Sequence, residues 1–197
     1  MAALTLIDSH NHFDDAGFDE DRTALYQRAR AAGVAAQVLN AVCVRLWPKL
    51  QAVAASYPGL YPCYGLHPVW LTEHRPEHLD QLADWIIRER PVAIGECGLD
   101  FYLPDLDPDA QAEYFAGQLR LARRHDLPVV IHARHAVDQV IKQVRRFAGV
   151  RGMVHSFSGS LDQAGRLLDL GILLSFGGPL TYPRASRLRR LVRFLPL

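Results

Sequence analysis

The feature that most constrains the fold of this chain is a regular alternation of short apolar runs with segments of helical spacing. The apolar runs are continuous, as in parallel strands that are covered on both faces. Seven such units in succession favour a barrel over a doubly wound sheet, which more often carries a glycine-rich first turn that is absent here. A helical pattern follows each apolar run, and the runs lie near residues 4–7, 34–44, 60–65, 92–94, 128–131, 152–154 and 172–175.

The expected fold class is therefore α/β, a TIM (β/α)₈ barrel, and local signals predict where several helices begin and end. Gly33 and Gly171 follow helical patterns at positions where a left-handed residue ends a helix. Asp107 precedes Pro108, a typical cap and first residue of a helix. The spacing from Ser160 to a glutamine three residues later predicts a capping box.

An eighth strand and helix unit is not visible in the sequence. Barrels of this kind usually need ~250 residues, whereas this sequence has 197 and stops where a final strand would begin. We expect residues 1–197 to form one barrel domain that lacks the eighth βα unit and is truncated at its C-terminus. No internal linker or repeat indicates a second domain.

Composition excludes several classes of protein. The formal net charge is +1, so no overall charge attracts a nucleic acid or a membrane. Cys43, Cys63 and Cys97 are too few for a disulfide framework, which suits a reducing compartment. The sequence shows neither a signal peptide nor an apolar run of membrane-spanning length. We expect a cytoplasmic monomer with no membrane partner and no indicated protein partner.

Histidine and glutamate residues follow the predicted strands at the end where barrels carry their reactive groups. A lone histidine is more often structural or exposed, and we interpret His74, His78, His125 and His135 in that way. Five of the seven strand ends bear such residues, and this is a different case, because their side chains would converge on one mouth. The residues at these ends are His10, His12, His67, Glu96, His132 and His155.

This set of side chains predicts a metal centre. Imidazole and carboxylate ligands without thiolates suit zinc, manganese, magnesium or a similar divalent ion. One acidic residue between two histidine pairs indicates two metal ions, with Glu96 as the bridge. His10 and His12 would bind one ion, and His132 and His155 would bind the other. Two-metal sites of this kind support hydrolysis.

The chain carries five further motifs, DSHNH at 8–12, GLHP at 65–68, IGECGLD at 94–100, VIHAR at 130–134 and VHSFSG at 154–159. They resemble the motifs of the TatD family of metal-dependent hydrolases. The resemblance covers the whole chain in order, and residues 178–186 are similar to the YjjV branch of the family. It implies a barrel of the amidohydrolase superfamily and a phosphoesterase described as a DNase, with DNA as substrate. The implied metal ligands are the five residues His10, His12, Glu96, His132 and His155.

The resemblance also implies a catalytic aspartate on an eighth strand, about eight positions beyond Leu197 by analogy with related barrels. If these residues were the entire product, we would expect weak or no hydrolysis. Among the remaining residues near the mouth, Asp100 is expected to orient a ligand, contact substrate or cap a loop. Those expected to contact substrate are His67, Asp100, Arg134, Tyr182 and Arg184.

Three functions remain open from the sequence. The first is a two-metal phosphodiesterase acting on DNA, which the position of Arg134 beside His132 favours because a guanidinium clamps phosphate well. The second is hydrolysis of C–N bonds in a small molecule. The third is a truncated, inactive metal-binding remnant.

Overall fold

The computed structural model of the protein describes residues 5–195, and seven parallel strands form one sheet in them. The strands lie in the sheet in the order of the chain, so each pairs with its neighbours in sequence. All seven predicted strands are confirmed, although Leu4, in the first predicted run, lies outside the described residues. The strands are β1 (Leu6–Asn11), β2 (Val34–Asn40), β3 (Leu60–Tyr64), β4 (Ala93–Asp100), β5 (Val129–Arg134), β6 (Gly152–Val154) and β7 (Ile172–Leu174).

The sheet is curled into an open barrel with β1 and β7 at its two edges. The imidazole rings of His10 in β1 and His155, directly after β6, stack with centroids 3.9 Å apart. In a flat sheet, five strand spacings would hold these two chain segments about 24 Å apart. The described strands thus confirm the expected barrel without its eighth unit.

Seven α-helices in residues 5–195 cover the outside of the sheet, and the caps of two of them agree with the sequence signals. The side chain of Asp107 accepts a hydrogen bond from the backbone of Asp109, and Ser160 and Gln163 form a complete capping box. Within residues 5–195, no helix combines the length and apolar character needed to cross a membrane. The helices are α1 (Arg22–Ala31), α2 (Trp47–Ser56), α3 (His78–Glu89), α4 (Pro108–His125), α5 (Val137–Arg146), α6 (Leu161–Asp169) and α7 (Ser186–Phe194).

Two apolar layers hold the barrel together. The larger one packs strand residues such as Leu39 and Ile131 against helix residues such as Trp47 and Phe115, all fully buried. The smaller one consists of strand side chains alone and fills the inside of the curled sheet, where Cys63 packs among alanine and valine residues. The three cysteines are free and buried, in agreement with the absence of a disulfide framework.

The predicted C-terminal ends of two strands are wrong. The second apolar run extends to residue 44, but β2 ends at Asn40. The other strand is the fourth. The apolar run ends at Ile94, but β4 continues to Asp100 because its last residues pair with β5, where Asp100 lies opposite Arg134. Glu96 therefore lies inside a strand rather than after one, and His132 lies inside β5. The polar side chains sit within the hydrogen-bonded sheet, which fixes their backbone positions.

Candidate metal centre

Glu96 occupies the centre of a cluster of histidines at the mouth of the barrel. Its side chain is only 1% exposed, and ring nitrogens of five histidines lie within hydrogen-bonding range of its carboxylate. The distances to Oε2 are 2.9 Å from His10 Nε2 and 3.2 Å from His12 Nε2. The distances to Oε1 are 3.0 Å from His67 Nε2, 3.1 Å from His132 Nδ1 and 2.6 Å from His155 Nε2.

On the Oε2 side of Glu96, the tautomer of His12 follows from its second nitrogen. His12 Nδ1 lies 2.8 Å from the carbonyl oxygen of Asn40, which only accepts hydrogen bonds, so Nδ1–H is the donor. In the neutral ring, Nε2 then carries a lone pair that faces the carboxylate. His10 lies beside it, with its ring edge-on to that of His12 and its centroid 5.0 Å away.

The Oε1 side repeats this arrangement with different residues. His132 Nε2 lies 2.9 Å from Asp100 Oδ2, so Nε2–H donates to that carboxylate and the lone pair of Nδ1 faces Glu96. The same Nδ1 lies 3.2 Å from His155 Nε2. Two ring nitrogens and one carboxylate oxygen thus converge on a single position.

His67 is different from the other four histidines. Its Nδ1 accepts a hydrogen bond of 3.1 Å from the backbone N–H of Val69, so the proton of the neutral ring is on Nε2. That Nε2–H donates to Glu96 Oε1 rather than offering a lone pair. His67 is therefore arranged as a hydrogen-bond donor at the mouth.

The electrostatics of the cluster keep Glu96 ionised. Burial alone would raise the pKa of Glu96, but the surrounding imidazoles outweigh it and hold the pKa well below its usual range. Burial opposes protonation of His12 and His132, yet the bonds to Glu96 raise the pKa of both. Burial lowers the pKa of His67 and of His155. The cluster is therefore one carboxylate anion surrounded by histidine rings, two of which have a raised pKa and two a lowered pKa.

The donor set fits divalent metal ions. In the neutral rings, a lone pair of His12 faces Glu96 Oε2 and a lone pair of His132 faces Oε1. Two acceptors in contact need a proton or a metal ion between them, and a divalent ion would satisfy both. The remaining N–H of each ring is held by a carbonyl or a carboxylate, which is the usual arrangement of histidines that bind metal. One group of side chains close enough to hold an ion is His10, His12 and Glu96. A second is His67, Glu96 and His132, in which His67 would have to lose its Nε2 proton to bind.

The other residues expected at the mouth divide into two groups. Asp100 is fully buried and its carboxylate contacts His132, which places it to orient a ligand, while its contact with substrate stays a prediction. Arg134 is exposed and lines a cavity of about 260 Å³ with His132 and His155. Tyr182 and Arg184 are exposed on the segment between β7 and α7 and are not among the residues that line this cavity.

Two buried glutamines on α4, which the sequence analysis missed, hold the strand ends in place. Gln111 accepts from the backbone N–H of Asp100 at 2.7 Å and donates to its carbonyl at 3.0 Å. Gln118 makes the same pair of bonds to Leu66, at 2.8 and 3.1 Å. Both lie on the apolar face of α4 with Phe115, and a polar residue on that face is the signal that could have revealed them.

We expect Gln111→Leu to weaken metal binding about tenfold, because Asp100 orients His132 and loses its own support. The variant also leaves two backbone groups of Asp100 without partners. Isothermal titration with Mn²⁺ measures the change in affinity. Gln118→Leu is the matched control, since it removes the same kind of bridge next to His67, and its affinity should stay within about twofold. Equal losses of affinity in both variants would contradict the role of Gln111 in supporting Asp100 and His132.

A parallel barrel with a carboxylate and several histidines converging at its mouth is the arrangement typical of metal-dependent hydrolases. Comparison with known proteins identifies the family within this class. The chain belongs to the TatD family, because the family model for TatD related DNases matches residues 7–197.

Relatives and solved structures agree with this assignment. The chain is 41% identical over 194 residues to the uncharacterized metal-dependent hydrolase YjjV of Escherichia coli K12, covering 97% of this chain and 75% of the relative. It is 31% identical to the uncharacterized metal-dependent hydrolase YabD of Bacillus subtilis, covering 97% and 76%. The crystal structure of YjjV superposes with a TM-score of 0.92 at 39% identity, covering 97% of this chain and 75% of that chain.

Proposed function

We propose that the protein is a two-metal phosphodiesterase that acts on DNA. The observation that carries the proposal is the pair of histidine lone pairs facing opposite oxygens of Glu96, since this provides a separate position for a cation on each side. His10 and His12 would hold one ion, His132 and His155 the other, and Glu96 would bridge them. When bound, such ions supply Lewis acidity toward a phosphoryl oxygen and toward the attacking water.

The side chains around the cluster suit a phosphodiester. Arg134 forms no ion pair with any carboxylate among residues 5–195, so its guanidinium is available to a phosphate. It lines the same cavity as His132 and His155, which places a free cation beside the metal cluster. His67 Nε2–H donates to Glu96 Oε1 and would help to hold that bridging carboxylate in place.

Asp100 and Gln111 have a positioning role in this proposal. The carboxylate of Asp100 fixes the ring of His132 through its Nε2–H. Gln111 fixes the backbone of Asp100 in turn. These contacts keep the lone pair of His132 directed at its position before any substrate arrives, which limits the reorganisation needed on binding.

The test is hydrolysis by chelator-stripped protein reloaded with Mn²⁺, Zn²⁺ or Mg²⁺, one ion at a time. We expect two ions per chain by elemental analysis and cleavage of a labelled DNA oligonucleotide only after reloading. Hydrolysis of cyclic amides without phosphodiester cleavage would favour the C–N hydrolase, and metal binding without turnover on any substrate would favour the inactive remnant. His78→Ala, a histidine outside the cluster, is the control and should leave activity unchanged.

A further inference from the structure

A buried histidine outside the predicted ligand set, His74, contacts the backbone of His67. Its Nε2 lies 2.9 Å from the carbonyl oxygen of His67. A carbonyl oxygen only accepts hydrogen bonds, so the Nε2–H of His74 is the donor. The other ring nitrogen, Nδ1, is buried and has no hydrogen-bond partner within residues 5–195. In the described part of the chain, the bond to His67 is thus the single hydrogen bond of this side chain.

The backbone of His67 is held on both sides of its Cα. Its N–H donates to the carbonyl oxygen of Val42 at 2.9 Å. Its carbonyl oxygen accepts from the backbone N–H of Trp70 at 3.0 Å and from the ring of His74. A residue has two soft backbone dihedral angles, and these bonds restrict both of them. The direction of the His67 side chain follows, and its Nε2–H donates to Glu96 Oε1 at 3.0 Å.

Helix α4 holds His74 in this position. The rings of His74 and Tyr114, a residue of α4, pack edge to face with centroids 5.2 Å apart. Gln118, one turn further along the same helix, bonds to both backbone groups of Leu66. Leu66 and His67 are consecutive residues just beyond β3. The helix therefore supports the backbone of both, of Leu66 directly and of His67 through His74.

We propose that His74 is a positioning residue of the metal centre, which directs the Nε2–H of His67 at the shared carboxylate of Glu96. This inference rests on the proposed function, in which Glu96 bridges two ions. His74 acts through His67, because its own ring reaches only the backbone of that residue. A role in packing alone would require only the ring of His74 against Tyr114, so the N–H donor distinguishes the two roles.

Three substitutions of His74 separate the N–H donor from the ring. In His74→Gln, the side-chain amide places an N–H close to the position of Nε2. In His74→Asn, the shorter amide places it close to the position of Nδ1, out of reach of the His67 carbonyl. His74→Phe retains the ring and has no donor. If His74 positions His67, glutamine should replace it, and asparagine and phenylalanine should fail. If His74 only packs against Tyr114, phenylalanine should replace it best.

The first measurement needs neither metal nor substrate. Nuclear magnetic resonance of the metal-free protein, with isotope-labelled histidine, follows exchange of the His67 Nε2 proton with solvent. We expect this exchange to become about tenfold faster in His74→Asn and His74→Phe, and to stay within about twofold in His74→Gln. His78→Phe is the matched control, because the His78 ring lies 6.5 Å from that of His74 and its Nδ1 accepts from the backbone of Arg75 instead. It should leave the exchange unchanged.

The second measurement is turnover of a labelled DNA oligonucleotide by the reloaded protein. We expect His74→Asn and His74→Phe to lower kcat about tenfold and His74→Gln to retain it within about threefold. The proposal is overturned if His74→Phe keeps slow exchange and full kcat while His74→Gln loses both. It is also overturned if all three variants match the unchanged protein.

The pair of amide variants keeps the test decisive if His74→Phe does not fold, as judged by circular dichroism. Glutamine and asparagine differ by one methylene group, so equal exchange rates and equal kcat in these two variants would overturn the proposal. Failure of the proposed function would appear separately, as an absence of cleavage by the unchanged, reloaded protein. The exchange measurement would still decide whether His74 directs His67 at Glu96.

Discussion

Glu96→Gln is expected to abolish binding of both metal ions and to reduce hydrolysis by about a thousandfold or more. Both oxygens of Glu96 face histidine nitrogens, so one neutral amide would replace the only carboxylate shared by the two predicted ion positions. The amide also places an N–H group where one ion would bind. Because the side chain is almost fully buried, solvent cannot compensate for the lost negative charge.

Elemental analysis of the purified variant measures this loss directly, and cleavage of the labelled oligonucleotide measures its consequence. Glu73→Gln is the matched control, because Glu73 is an exposed carboxylate that pairs with Arg45 outside the cluster. It should keep both ions and full activity. If Glu96→Gln retained two ions per chain, the bridging role of Glu96 would be wrong. Circular dichroism of both variants separates lost binding from lost fold.

The order of the strands could be predicted from the sequence because each strand is covered on both faces. Burial on two sides selects continuous apolar runs, such as those that lead into β5 and β7, and these are easy to recognise. The end of β4 could not be predicted in this way. Its last five residues include Glu96 and Asp100, and only the pairing with β5 shows that this polar stretch remains in the sheet.

The predicted ligands come together because parallel strands all end at one mouth, which is a property of the fold class. The protonation of the His12 and His132 rings depends on partners 28 and 32 positions away in sequence. Asn40 sets the tautomer of His12, and Asp100 sets that of His132. Val69 makes His67 a donor instead. Residue type and spacing do not contain this information, so His67 and the other histidines look alike in the sequence.

The contacts of Tyr102 could not be predicted for a related reason. Tyr102 and Arg134 are more than thirty positions apart, and pairing of β4 with β5 brings them together: Asp100 lies opposite Arg134 in the register. A tyrosine after a strand is equally consistent with a core position. Only the structure shows that its side chain is exposed and that the guanidinium of Arg134 packs on its ring.

The same register explains why Gly98 is needed between Glu96 and Asp100. Gly98 lies opposite His132, and its φ of +132° is one that residues with a side chain rarely adopt. A Cβ built at this position would lie 2.1 Å from the carbonyl oxygen of His132 and 2.9 Å from its nitrogen. Both atoms belong to the backbone, so no change of rotamer relieves the overlap.

Gly98→Ala is therefore expected to reduce the free energy of unfolding by about 4 kcal/mol or more, or to prevent folding. Chemical denaturation followed by circular dichroism measures the change. Gly165→Ala is the matched control, because Gly165 lies inside α6 with no atom within 4 Å of an added Cβ. Alanine favours a helix over glycine, so this control should gain about 0.5–1 kcal/mol. If Gly98→Ala folds with separated strands, Glu96 moves away from His132 and metal binding falls with stability. A stable Gly98→Ala protein with full metal affinity would show that β4 and β5 do not fix the site.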